Sequence, residues 1–464
     1  MSKMQRDFTQ GPIAKSMIAF SLPFLLSNIL QALYGAVDMW VVGNYSNPDP
    51  NVSALILSGV NIGSQITHMV AMMVSGLTVA GTVMVGQYVG ARKQKDASET
   101  VGTMFTMLGI VGIALMVLMI AFANPLLRLL NTPDEAFEHA KTYLIICLLG
   151  TLFIFGYNAI SSIQRGLGDS IRPLIFVGIA CLVNVGLDLW LVWGLGMGAA
   201  GAALATVIAQ AISLILAAVY LGRKKFIFDF KFKSFKIVRE KLSLMVKLGI
   251  PSSVQSIIVN ISFLVMTALV NSIGGAMASA AVGVVGKFNS FAILPAVAMS
   301  SSVSAFAAQN IGANMHDRAK KSLGVGIGIA MFISLIVFAA VQLFPEAIIG
   351  VFSPSEEVIK NGVEYMRTFS FDYLLVPIQF CMNGLIMGAG HTMLTLLSSM
   401  LSSLLLRIPV AILFGSVLSW GLMGVGLAGP AATLAGVLLT GWFLVTGRWK
   451  KDKTGIRRDK EMVS

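Results

Sequence analysis

Charge is scarce in this chain. Only 12% of its 464 residues are charged, 56% are hydrophobic, and the mean hydropathy is +0.83. No soluble domain can hide that much apolar side chain, so the soluble classes are excluded at the outset. Cysteine is scarce too. The three present, Cys147, Cys181 and Cys381, lie far apart in apolar runs and support neither a disulfide framework nor a thiolate metal site. The four histidines, His68, His139, His316 and His391, are scattered and form no metal-binding pattern. The phosphate-cradling pattern G-x-x-x-x-G-K-[ST] is missing, which argues against ATP-driven work by this chain. Gly196-Met-Gly198-Ala-Ala-Gly201 does fit the dinucleotide pattern, but no strand precedes it and no acid follows at the required distance. Small residues between two apolar helices serve close packing instead.

What the chain has in quantity is apolar segments of membrane-spanning length. Inside lipid every backbone N–H and C=O must be paired internally, and a run of about 20 apolar residues does so as a helix. Twelve such helices are expected, near 17–43, 54–89, 100–124, 138–164, 173–196, 199–222, 246–272, 276–310, 322–345, 361–387, 393–419 and 421–446. The chain also repeats itself. Gln87, Gly90 and Ala91 recur 222 positions later as Gln309, Gly312 and Ala313, Tyr143 as Tyr365, and Gly166 and Gly168 as Gly388 and Gly390. The expected fold is therefore an all-α membrane protein with twelve transmembrane helices in two six-helix lobes, the architecture of a secondary transporter. The lobes are expected over 1–222 and 246–446, with a basic linker at 223–245 and a basic tail at 447–464.

The formal net charge of +12 is explained by topology rather than by nucleic acid. Of the 33 Lys and Arg residues, 27 lie at the two ends or in loops after even-numbered helices, and the loops after odd helices hold Arg128, Lys141, Lys360 and Arg367. By the positive-inside rule both termini and the even loops are cytoplasmic, which relates the lobes by a pseudo-twofold along the membrane normal. The segment from Arg223 to Lys247 alternates Phe with Lys and is expected to lie on anionic membrane lipid. No cleavable signal is expected ahead of the first helix, which serves as its own insertion signal.

Carboxylates inside a membrane helix cost about 2.5–3.5 kcal/mol each, so those that persist usually have a task. Asp38 lies in helix 1 and Asp188 in helix 5, with Asn184 one turn before Asp188 and Tyr34 one turn before Asp38; Thr206 in helix 6 adds a hydroxyl. Two carboxylates, an amide oxygen and a hydroxyl form the all-oxygen set that a hard cation such as Na⁺ accepts, and the same set suits H⁺. The plainer alternative is that the acids only accept hydrogen bonds between helices. Aligning Pro23 with Pro251 pairs Asp38 with Met266, and aligning Trp193 with Trp420 pairs Asn184 and Asp188 with Ala411 and Gly415. Scaffold acids would be needed in both copies, so their restriction to the first half favours an ion site there.

In the second half the buried polar groups are Asn260, Lys287, Asn289, Asp372, Gln379, Asn383 and Arg407, and of these Asn260, Lys287, Asp372, Gln379 and Arg407, with Met266, are the substrate-binding candidates. Lys287 and Arg407 are expected to be buried and to need partners, and Asp372 is the one acid in range, so a structural ion pair and a substrate contact both remain open. The 26 methionines, including Met69, Met72 and Met73, suit an adaptable pocket.

At these residues the chain resembles the multidrug and toxic compound extrusion (MATE) family over nearly its whole length. The likeness rests on the six-plus-six helices and Pro23 with Asp38 in helix 1. It rests also on Gln87-Tyr-Val-Gly90-Ala-Arg92 after helix 2, Gln164-Arg165-Gly166-Leu-Gly168-Asp169 after helix 4, and Trp193-Gly194-Leu entering helix 6. The resemblance implies export of organic, mainly cationic, compounds against inward H⁺ or Na⁺, with a V-shaped central cavity between the lobes. It also implies a cation site in the first lobe, whose family positions match Asp38, Asn184, Asp188 and Thr206. The NorM-type branch carries further acids on helices 7 and 10; here those positions fall near Val259 and Asn260 and near Val376, one turn after Asp372. That departure leaves a second-lobe ion site unsupported.

The expected protein is thus a monomeric multi-pass antiporter of the plasma (inner) membrane, with a small organic substrate, surrounding lipid, no nucleic acid, and H⁺ or Na⁺ in place of a cofactor. A flippase for a lipid-linked precursor is the rival, and it needs a cationic cavity for pyrophosphate. A membrane enzyme or assembly scaffold would need a catalytic or metal cluster that the sequence does not offer.

Overall fold

The computed structural model describes residues 6–223 and 226–456. Residues 1–5, Lys224, Lys225 and 457–464, which belong to the two ends and the basic linker, lie outside the described residues, as does the Phe232 side chain. Every regular element among the described residues is helical. Nine helices are long and apolar enough to cross a membrane, and two bent pairs raise the number to eleven. The longest of the nine runs from Arg239 to Gly312 and breaks at Gly275, whose φ of 64° and ψ of −155° only glycine adopts readily. That break divides it into two spans, so the described residues hold the twelve expected from the apolar runs.

The chain divides into two compact units. One contains Leu26–Val85 and Lys93–Lys247; the other contains Arg6–Leu25, Gly86–Arg92 and the chain from Leu248 onward. The first unit is built from most of α1 (Ile13–Tyr45) and α2 (Pro50–Gly90), then α3 (Gln94–Ala121) and the short α4 (Ala123–Leu129). A bent pair follows, α5 (Asp134–Leu149) and α6 (Thr151–Gly166), which meet at 51°. Next come α7 (Ile171–Asp188), continued by a π-helical turn at Leu189–Gly194, and α8 (Gly198–Arg223). Small residues on α8, Ala199, Ala202 and Ala203, pack with Val41, Val42, Val60 and Val192. Lipid replaces water outside, so Leu182 is left 78% exposed at no hydrophobic cost.

Part of the linker's apolar side packs on the protein itself. Phe228 is only 2% exposed, with its ring against Phe105 and Phe235 at 6.0 and 5.1 Å. Thr103 on α3 accepts from Val238 N at 3.1 Å, while Lys231 and Lys233 stay exposed. The alternating Phe and Lys therefore put a hydrophobic face on α3 and leave a charged face outside.

The second unit contains α9 (Arg239–Ala292, from Leu248), α10 (Leu294–Gly312), α11 (His316–Leu343) and the short α12 (Pro345–Gly350). The pair α13 (Glu356–Phe369) and α14 (Asp372–Gly388) bends by 49°, and α15 (Thr392–Met400) runs through π-helical and α-helical turns, the four-residue α16 (Ile408–Ala411) among them, to Val417. The last helix is α17 (Gly421–Val445). Here the ends of α2 and α10 cross backbone to backbone. A Cβ at Gly90 would overlap the Gln309 carbonyl oxygen, and one at Gly312 would overlap the Gln87 carbonyl oxygen. Each helix then stops on a left-handed residue, Arg92 (φ 60°) or Asn314 (φ 61°).

The glutamines of the same repeat are both engaged. Gln309 accepts from Phe8 N at 2.9 Å, while Gln87 donates to the Gly388 carbonyl at 2.8 Å and accepts from Thr454 Oγ1 at 2.7 Å. The recurring Gly168 and Gly390 both take positive φ, 77° and 82°, where α6 and α14 end. The repeat read in the sequence is therefore a repeat of helix ends.

Candidate functional site

The first unit collects its membrane polar groups on three helices, each supplying a pair one turn apart. Tyr34 and Asp38 come from α1, Asn184 and Asp188 from α7, and Thr206 and Gln210 from α8. Residues four apart share a helix face, so each pair points into the same volume. Asp188 ends α7 at the start of its π-helical turn, a local widening common at functional positions.

Asp188 is 0% exposed, Asn184 2% and Asp38 7%. Asp38 and Asp188 lie within electrostatic reach of each other, so the two acids address one site. Asp38 Oδ1, both Asp188 oxygens and both polar atoms of Asn184 find no hydrogen-bond partner in the protein. Buried polar atoms are otherwise nearly always paired, so five such atoms in one place mark a site built for something that arrives and leaves.

One turn away lies a small cavity lined by Tyr34, Asn184, Thr206, Gln210, Gln31 and Tyr157 among others. It gives about 20 Å³ to the centres of water-sized groups, above the ~10–15 Å³ that one water needs and far too little for a drug. Tyr34 and Gln210 line this cavity together, and Asp38 is within electrostatic reach of Tyr34, Tyr143 and Cys147. Gln31, Gln210 and Tyr157 belong to this cavity and were not singled out in the sequence. The signal was present for Gln210, a lone amide one turn after Thr206 in an apolar run.

The donor set is oxygen throughout, and among the described residues no group of three or more His, Cys, Asp or Glu is placed to hold a metal. Two acids with neutral oxygens suit a single monovalent cation or a proton.

The second-half candidates divide. Met266, Asn289 and Arg407 line a cavity of about 270 Å³ with Phe263, Tyr365 and Phe369. Asp372 is buried at 6% exposure and attracts Arg407. Asn260 donates to Ser256 O on its own helix at 2.8 Å. Gln379 and Asn383 are buried on α14, with Gln379 filling the space over Gly436. Lys287, expected to be buried, is exposed: it shares the helix face of residues 283, 286 and 290, which is open along its length.

Comparison with known proteins agrees in family and fold. The family model MatE matches residues 23–190 and 251–413. The probable multidrug resistance protein YpnP of Bacillus subtilis is 30% identical over 451 residues, 96% of this chain and 98% of that protein. The probable multidrug resistance protein NorM of Thermotoga maritima is 24% identical, covering 95% and 94%. Among solved structures, MATE in complex with MaL6 superposes with a TM-score of 0.89 at 22% identity, covering 97% of this chain and 100% of that one. The outward-facing conformation of a MATE family transporter superposes at 0.87 with 21% identity, covering 97% and 99%.

Proposed function

Because the chain belongs to the MATE family and is a multidrug efflux transporter, we propose that it exports organic drugs or toxic compounds across the plasma membrane in exchange for H⁺ or Na⁺. No chemical step is asked of the protein. The exported compounds are taken to be organic, cations foremost, and the working unit a monomer. The observation that carries the coupling is the set of five unpaired buried atoms on Asp38, Asn184 and Asp188. In this reading Asp38 and Asp188 hold the ion, Asn184 and Thr206 add neutral oxygens, and Tyr34 is a nearby hydrogen-bonding residue.

One charge moving through about 100 mV releases about 2.3 kcal/mol, enough for a roughly fortyfold gradient of a neutral compound. The ion acts by binding the outward-open and inward-open states unequally, since equal binding would shift nothing. The test is transport of a fluorescent cation by purified protein in liposomes, with pH and Na⁺ gradients imposed separately. Uptake under one gradient and not the other names the ion; none under either overturns the proposal.

The charge distribution further supports cytoplasmic termini and linker. Lys233 is exposed, so a cysteine placed there is reachable. An impermeant thiol reagent is expected to leave it unlabelled in intact cells and to label it in inside-out vesicles. Labelling in intact cells inverts the topology.

A further inference from the structure

We infer that the cavity around Arg407 in the second unit binds organic acids, that is, aromatic or otherwise apolar compounds carrying a carboxylate or a similar anion. The walls are apolar and partly aromatic, from Phe263, Met266, Val270 and Phe369, and Arg407 is the one charged side chain among them. A guanidinium holds its charge at every physiological pH and offers N–H groups in a fixed fork. Here that fork is incomplete. Nε and Nη1 are buried and have no hydrogen-bond partner, although the guanidinium carbon lies 4.9 Å from the Phe263 ring centre. The ring stabilises the face of the cation and leaves its N–H groups unmet.

Asp372 is the natural candidate for a structural partner, yet it does not complete the fork. It sits in the first turn of α14, outside the cavity lining. Its own Oδ1 has no partner either, so the two charges attract across a gap and leave donors free. A ligand carboxylate would meet the guanidinium through charge-assisted hydrogen bonds, while its rings pack on Phe263 and Phe369. Asn289 at the rim offers an amide to an uncharged substituent. An organic cation meets like charge at this spot. Arg407 also closes the π-helical turn Leu401–Arg407, a backbone form that re-aims side chains at working sites.

This goes beyond the export reading by adding organic anions to the cations taken there as cargo, and it rests on that reading for the step from binding to transport. The test uses full-length protein in phosphatidylcholine nanodiscs, titrated with 2-naphthoate, 2-naphthamide and 2-naphthylmethylamine, with empty nanodiscs subtracted. The acid is expected to bind at least tenfold tighter than the amide, about 1.4 kcal/mol, and the amine weakest. Arg407→Met should bring the acid-to-amide ratio close to one. Arg407→Lys, which keeps the charge and loses the fork, should retain a preference of a few fold. Phe263→Leu should weaken acid and amide together. An undiminished ratio in Arg407→Met, no acid preference in the unmodified protein, or tightest binding by the amine overturns the inference. Gradient-driven export of the fluorescent cation together with any of those results leaves the export reading standing and removes this ligand class alone. An Arg407-dependent acid preference in protein that transports nothing does the reverse.

Discussion

Replacing Asp38 or Asp188 with asparagine abolishes gradient-driven export and leaves the fold intact. Asparagine keeps the shape and an acceptor oxygen and removes the group that exchanges a cation. The double variant is no worse than either single one, because both acids serve one ion and members of one site are non-additive. Thermal stability separates this from a purely structural role. An acid serving only as a bridge between helices would cost stability when replaced. Replacing an acid buried at 0% exposure with both oxygens unpaired, as Asp188 is, should cost no stability. The measurement is paired: uptake in liposomes, and the unfolding midpoint of the same preparation. Full gradient-driven uptake by either single variant, or a clear loss of stability with coupling preserved, sinks the assignment.

Adding one methyl group at Gly90 or Gly312 is expected to have the largest effect on folding of any change this small. The methyl would not meet a side chain that can swing away; it would meet a backbone carbonyl, that of Gln309 in one case and of Gln87 in the other. Overpacking of this kind costs about 1–3 kcal/mol even where side chains can adjust, and the helices here must separate instead. Separation would also strain the glutamine contacts to Phe8, Gly388 and Thr454 that gather around the crossing. Gly90→Ala and Gly312→Ala should each lower the unfolding midpoint and the yield of monodisperse protein. Gly109→Ala, on α3 with open space around it, should lower neither. An unaltered midpoint in both crossing variants would mean that the helices part easily.

The spans were legible because lipid imposes one demand on every residue within it, and a run such as the one over α11 answers that demand by composition alone. The break near Gly275 was legible for the same reason, as a gap between two apolar runs. What escaped depends on which neighbour a face meets. Lys287 lies among Val284, Val285 and Phe288, and composition read it as buried; the face it shares with Gly283, Gly286 and Ser290 is open. The alternation of Phe and Lys in the linker was readable, but not that Phe228 packs over Gly102 on α3 while Thr103 accepts from Val238 N. In the ion site the acids were readable, since a membrane carboxylate is conspicuous. Gln31 and Tyr157 were not, because an amide or a phenol in an apolar run is inexpensive and common. Arg407 was readable as a charge, but only packing reveals that Asp372 leaves its fork unfilled.

The crossing of α2 and α10 has the form of an isologous contact. Gly90 rests on Gln309 and Gly312 rests on Gln87, so each copy of one short motif supplies both the knob and the seat, and the two pairings exchange under a half-turn. Homodimers make such contacts between separate subunits, because a self-complementary patch needs only one gene to encode both sides. An ancestor of half this length could have closed the same crossing with a second copy of itself before fusion joined the two. Fusion then frees the copies to diverge everywhere except where they touch. The acids survive in one half alone, and Gln-x-x-Gly-Ala survives in both. A side chain added on one copy meets the backbone of the other, so a substitution at the crossing is answerable only by a change in the opposite copy.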